Sequence, residues 1–249
     1  MLELTLDAHV DLAHSAARHG AGLFETIRVQ DGQALHLEAH LARLSQGAEY
    51  LGLELPPPVK TIRAYLKTHK LCSSLGSGVL RLLAVDRALM ISMLPWKAER
   101  PPRILVGLSQ RTTRWSRDPL NRFKTMSYLA NLLMIREAQG RDLFEVLALN
   151  EAGRLTDGGR TNVFLVKTGR MLTPPVDHGA LPGIIRQTLL ESGLAEEASL
   201  GPEDLQAAEA IFLTNALQGV VAVHALEDGS VKDPVHPLLL AAEAGLLKA

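Results

Sequence analysis

The 249-residue chain has a single cysteine, no surplus of either charge and no long apolar run, and each lack removes a class of protein. With Cys72 alone, an internal disulfide is impossible and there are too few thiols for a cysteine-rich zinc site. The 26 Lys and Arg set against 27 Asp and Glu give a formal net charge of −1, so there is no basic excess to hold nucleic acid or an anionic membrane. Any anion site must therefore be local. No stretch approaches the roughly 20 apolar residues that cross a bilayer. The opening MLELTLDAHVDLAH lacks a basic region followed by an apolar run, so no signal peptide is expected and the cytoplasm is the expected location. Internal repeats and low-complexity tracts are also missing. With 47% hydrophobic residues, what remains is a globular protein of one large or two small domains.

Read in order, Leu2 to Leu6 alternate like a strand, and His14 to Gly22 are small and polar enough for a loop. Gly22 to Val29 alternate, Asp31-Gly32 supplies a turn, and Ala34 to Leu37 resume, which is a hairpin signature. Leu37, Leu41, Leu44, Ala48 and Leu51 recur at helical spacing until Gly52, setting His36, His40 and Arg43 about a turn apart. A zinc helix needs Glu directly after its first His, where Leu37 stands, and no third ligand is indicated, so no metal is expected. A second helix follows over Val59 to Leu71, then two strands, Val79 to Val85 and Ala88 to Leu94, joined tightly at Asp86-Arg87. Another strand covers Ile104 to Leu108. The segment SQRTTRWSRDPLNRFK has no apolar period and reads as a polar linker, or as one whose arginines line an anion site.

Beyond it, Lys124 stands just before a helix over Met126 to Ala138, and Phe144 to Leu149 form a strand. The stretch Leu155 to Arg186 then combines Asp157 before Gly158-Gly159, Asn162 before an apolar strand, and Gly183 at the mouth of a helix running to Ser192. A helix start suits a phosphate, and a nearby carboxylate suits a protonated ring nitrogen. A short helix at Pro202 to Ala208, the strand Ala210 to Leu213, the turn Thr214-Asn215-Ala216, the apolar Val220 to Val223 and a terminal helix from Pro237 to Leu247 complete the chain.

A lysine that forms Schiff bases needs a protected site, a partner for the cofactor ring and a phosphate cradle. Lys124, Asp157, Arg43 with Gly183-Ile184, and Asn215-Ala216 are candidates for these parts, although spacing alone does not assemble them. Seven motifs occur in order between about Gly20 and Val223: GAGLFETIRV with DG following, HLEAHLARL, Lys124-Thr125-Met126-Ser127-Tyr128, TDGGRTNVFLV, LTPP, LPGIIR and FLTNAL. In this set the chain resembles the fold-type IV pyridoxal-phosphate enzymes, the group of branched-chain and D-amino acid aminotransferases and aminodeoxychorismate lyase. The resemblance implies an α+β fold like that of D-amino acid aminotransferase: a small N-terminal domain over 1–108, a linker over 109–120, and a larger β-rich domain over 121–249. It also implies that pyridoxal 5'-phosphate lies in the interdomain cleft and that the protein is a homodimer.

Carried over residue by residue, the resemblance implies that Lys124 holds the cofactor as a Schiff base and moves protons once substrate displaces it. Arg43 would bind the phosphate, with backbone N–H groups at Gly183, Ile184, Ile185, Asn215 and Ala216. Tyr128 would lie near the ring hydroxyl, and Asp157 would keep the pyridine nitrogen protonated. The chain departs from the family pattern at three points. Asp157 stands where Glu is usual, Ile185 where Thr is usual, and the link at Asp86-Arg87 is shorter than a Gly-rich loop.

The Asn215-Ala216-Leu217 turn is similar to that of the lyases, which implies conversion of 4-amino-4-deoxychorismate to 4-aminobenzoate and pyruvate, a step of folate biosynthesis. Arg111, Arg114 and Arg160, with Asn215, are the expected contacts for this dicarboxylate substrate. An aminotransferase acting on branched-chain or D-amino acids is the alternative, and a cofactor-free binding protein is a third reading.

Overall fold

The computed structural model of the chain describes residues 2–6, 15–73, 76–97 and 99–246. It divides into two compact units, Met1–Ala98 with Phe123–Tyr128, and Glu99–Arg122 with Leu129–Ala249.

The first unit is a five-stranded sheet backed by two helices. Its elements are β1 (Glu3–Thr5), α1 (Ser15–His19), β2 (Gly22–Gln30), β3 (Gln33–Ala34), α2 (Leu37–Leu51), α3 (Val59–Thr68), β4 (Gly78–Val85) and β5 (Ala88–Pro95), with sheet order β1-β5-β4-β2-β3. The alternation in β2 does what period two demands: Leu23, Glu25, Ile27 and Val29 are buried, while Phe24, Thr26 and Arg28 turn to the other face. Leu23, Ile27, Leu80, Leu82, Leu89 and Ile91 form one core with Leu37, Leu41, Leu44 and Ile62 of the helices. The Asp31-Gly32 turn has both residues at positive φ (51° and 74°), the conformation that a two-residue hairpin requires. One expectation fails here. Ser15–His19 form α1 where a loop was expected, because Ala16 packs beside Val85 and Met90, and five residues are too few to show a period; His14, where that expectation began, lies outside the described residues.

The second unit contains β6 (Leu105–Thr113), α4 (Leu129–Gly140), β7 (Glu145–Leu149), β8 (Leu155–Gly158), β9 (Asn162–Lys167), β10 (Arg170–Thr173), α5 (Ile184–Glu191), β11 (Ala195–Glu197), α6 (Pro202–Ala207), β12 (Ala210–Asn215), β13 (Gly219–Ala222), β14 (Ala225–Leu226) and α7 (Pro237–Leu246). Two sheets, β14-β6-β7-β8 and β11-β10-β9-β12-β13, pack together. Val163, Leu165, Ile211 and Leu213 face the joint core, while Phe164, Val166 and Phe212 face Ile185, Leu189 and Leu239 of α5 and α7. Both faces of β9 and β12 are covered, which is why these strands read as unbroken apolar runs.

The boundaries differ from the expected 1–108, 109–120 and 121–249. Residues 105–108 begin a strand of the second unit, and β6 continues into the supposed linker to Thr113, pairing parallel with β7 over Val106 to Leu108 and again, after an irregularity, at Thr113. Backbone pairing extends a strand past its apolar residues, so composition did not mark it. Conversely, 123–128 belongs to the first unit and α4 starts at Leu129, not at Met126. Among the described residues no helix is long and apolar enough to cross a membrane.

Candidate active site

In the first unit Lys124 is fixed by strand-like pairing with the start of β2. Phe24 N–H donates to the Lys124 carbonyl (2.9 Å), Met126 N–H donates to the Gly22 carbonyl (2.8 Å), and Leu23 bridges Thr125. Gly22 permits this approach, since a Cβ there would lie 2.5 Å from Met126 Sδ and 2.9 Å from the Ala84 carbonyl oxygen. The Lys124 ammonium sits 4.2 Å from the Phe24 ring centroid and 5.0 Å from that of Tyr128, and these two rings meet edge to face at 5.2 Å.

Both rings line a cavity of about 410 Å³ on the sheet face turned away from α2. Its floor carries two cross-strand rows over β2, β4 and β5: Phe24-Leu83-Met90, and Thr26-Arg81-Ser92. The sequence reading missed Arg81. Its only signal was one charge inside the apolar run Val79 to Val85.

Arg43 lies behind this sheet. Its Nε and Nη2 donate to the two oxygens of Glu25 at 2.8 and 2.7 Å, and His40 Nδ1 is 2.7 Å from Glu25 Oε2. Burial pushes the Glu25 carboxyl up, but Arg43 beside it and the hydrogen bonds from His40 and Arg43 outweigh that and bring it to about 2. The guanidinium is thus oriented by a buried acid on a neighbouring strand.

In the second unit Asp157 ends β8, only 4% exposed. Its Oδ1 accepts from Arg114 Nε (3.1 Å) and its Oδ2 from the Leu181 N–H (3.0 Å). Asn162 Nδ2 donates to the Leu181 carbonyl (2.8 Å). Asn162 Oδ1 would stand 2.0 Å from a Cβ at Gly183, so a side chain at the mouth of α5 would have to displace Asn162. The helix begins there with no side-chain cap, presenting the first-turn N–H groups of Ile184 and Ile185. The acid turn and the helix start are therefore held together through one residue, Leu181. In the turn between β12 and β13, Asn215 Oδ1 accepts from Leu217 N–H (3.0 Å) and Gln218 N–H (2.8 Å), which fixes the backbone at Ala216.

The Gly158-Gly159 pair has its own cause. A Cβ on Gly158 would strike Glu145, and one on Gly159 would press on α4. Glu145 is fully buried beneath the turn and accepts from Gly159 N–H (3.1 Å), Arg160 N–H (3.2 Å) and Thr161 Oγ1 (3.0 Å). Burial raises its carboxyl to about 7 against these bonds and the nearby Arg160. Of the three expected substrate arginines, Arg111 is exposed on β6. The Arg160 guanidinium lies over Phe144 and donates to the Phe144 carbonyl, and Arg114 is buried against Asp157.

Taken unit by unit, the residues fit parts of a phosphorylated pyridine aldehyde: in the second unit an uncapped helix start suits a phosphate and a fixed buried acid suits a ring nitrogen, and in the first unit the Lys124 amine suits an aldehyde. Residues 22–226 match the family model described as amino-transferase class IV. The chain is 28% identical over 242 residues to the bifunctional aminodeoxychorismate lyase / D-amino acid transaminase of Mycobacterium tuberculosis, covering 85% of this chain and 84% of that one. It is 25% identical over 250 residues to the branched-chain-amino-acid aminotransferase of Escherichia coli K12, covering 89% and 81%. A hypothetical aminotransferase of M. tuberculosis, solved in its PLP-bound form, superposes with a TM-score of 0.83 at 26% identity over 97% of this chain and 94% of that one. The chain belongs to the class IV aminotransferase family, enzymes of fold type IV whose cofactor is pyridoxal 5'-phosphate.

Proposed function

We propose that this enzyme is a carbon-oxygen lyase that converts 4-amino-4-deoxychorismate to 4-aminobenzoate and pyruvate, within folate biosynthesis. The observation that carries this reading is the Thr26-Arg81-Ser92 row on the floor of the cavity beside Lys124. A cation and two hydroxyls lining a pocket suit a carboxylate. The turn at Asn215, similar to that of the lyases, supports it.

In this reading Lys124 binds the cofactor and acts as base and acid. Arg43 and the N–H groups of Ile184, Ile185 and Ala216 hold the phosphate, Tyr128 lies near the ring hydroxyl, and Asp157 faces the ring nitrogen. Bound pyridoxal phosphate supplies an electron sink for the carbanion formed at the amino-bearing carbon. Lys124 removes the proton from that carbon, the neighbouring C–O bond breaks, and the departing enol takes up a proton to become pyruvate. Arg81 holds one substrate carboxylate, and Arg111 is the candidate for the other.

The test is a product assay without amino acceptor. Equal yields of 4-aminobenzoate and pyruvate are expected, and Arg81→Gln should raise KM at least about tenfold, the scale of one lost charged hydrogen bond. Amino transfer to 2-oxoglutarate with no pyruvate would establish the aminotransferase reading, which the E. coli relative favours. As partner we infer a second copy of the chain, in a cytoplasmic homodimer. Leu129, Leu132 and Leu133 on α4 are exposed apolar residues that such a copy could cover.

A further inference from the structure

We propose that Arg114 is a positioning residue that orients the Asp157 carboxylate and does not meet the substrate. This rests on the reading of Asp157 as the acid that faces the ring nitrogen. Arg114 follows β6 directly, and its N–H donates to the Leu149 carbonyl of β7 (3.0 Å), so its backbone is part of the second unit's sheet. Its side chain is 9% exposed. Nε donates to Asp157 Oδ1 at 3.1 Å and Nη1 to Asn131 Oδ1 at 3.3 Å, while Asn131 Nδ2 donates in turn to the Gly159 carbonyl (2.9 Å). Gly179 leaves room for it, since a Cβ there would stand 3.2 Å from Arg114 Cβ.

The chain Arg114-Asn131-Gly159 thus ties the guanidinium to α4 and to the same turn that carries Asp157. A guanidinium this enclosed, with Nε on Asp157 and Nη1 on Asn131, is turned to protein acceptors, unlike an exposed arginine awaiting a carboxylate from solution. The arrangement also bears on the shorter acid. Asp has one methylene fewer than Glu, so its carboxylate sits closer to its own backbone. The donors Arg114 Nε and Leu181 N–H fix one oxygen each, which sets the plane of the carboxylate while leaving it further lone-pair directions. Removing either partner of a buried pair leaves the other uncompensated, so the effect of Arg114 should register first at Asp157.

Apoprotein titrated with pyridoxal phosphate, followed by the visible band and its pH dependence, tests this beside substrate KM. Arg114→Gln should weaken cofactor binding about tenfold and shift the pH profile of the band, with KM changed less than about twofold. A tenfold rise in KM with an unchanged titration overturns the proposal. Should Arg114→Gln fail to fold, the charge-balanced double variant Asp157→Asn with Arg114→Gln is compared with Asp157→Asn alone. If Arg114 acts only through Asp157, the second substitution adds less than about a twofold loss of cofactor affinity and leaves KM alone; an added rise in KM overturns the proposal. If Asp157→Asn itself leaves the band and its pH profile untouched, Asp157 does not face the ring, and both the parent reading and this proposal fall.

Discussion

Two buried glutamates behave oppositely, and each has a pH window. Glu25 is brought from 4.5 to about 2, so its contribution is present above pH 4.5 and is lost as pH falls through 2. Glu145 is raised from 4.5 to about 7, so between those values the folded state keeps a proton that the unfolded chain has released. Its effect is to lower stability as pH rises from 4.5 to 7, by up to about 3 kcal/mol, and then to level off. Urea unfolding of the apoprotein should show this fall between pH 5 and 7.5, and Glu145→Gln should flatten it; an equally steep fall in the variant would contradict the assignment. Asn162 and Gly183 form a second residue-scale test. Gly183 has an ordinary φ of −70°, so Gly183→Ala fails only through its contact with Asn162. The substitution should weaken cofactor binding at least about tenfold, and adding Asn162→Ser should restore part of it; no recovery would mean the clash is not the cause.

At the scale of elements, the placement of Lys124 depends on a six-residue segment lying along β2. Gly22→Val would bring its Cβ to 2.5 Å from Met126 Sδ and 2.9 Å from the Ala84 carbonyl oxygen. The expected outcome is a folded protein with strongly reduced cofactor occupancy, measured by the visible band against circular dichroism; full occupancy would show that the pairing is not needed. Elements also show what was legible. β9 and β12 were readable because burial on both faces forces unbroken apolar runs. The hairpin at Asp31-Gly32 was readable because its φ values admit few residues. The docking of 123–128 on β2 was not, since pairing across about 100 positions of sequence leaves no local period. The extension of β6 to Thr113 runs through an irregularity where Gln110 N–H donates to Glu137 and the Arg111 and Thr112 N–H groups donate to Ser109 Oγ before pairing with β7 resumes, none of which composition records.

Over the whole molecule, the family was legible because seven short motifs fall in one order, and a chance match becomes improbable with each. The division into units was less so, since the boundary runs where strands change sheets and not where the composition changes. Individual arginines were the least legible of all. Arg114 read as a linker arginine that meets the substrate and is buried on Asp157, while Arg81 sat unnoticed within an apolar strand. A charge's use is fixed by its three-dimensional neighbours, which for Arg114 include a residue 43 positions away.

The account turns on Lys124 as the residue that carries the cofactor. Borohydride reduction of the holoprotein, followed by peptide mapping, measures this directly. The account predicts one pyridoxyl-modified peptide containing Lys124, and none in Lys124→Ala. Modification at another lysine, or an unchanged visible band in Lys124→Ala, would contradict it.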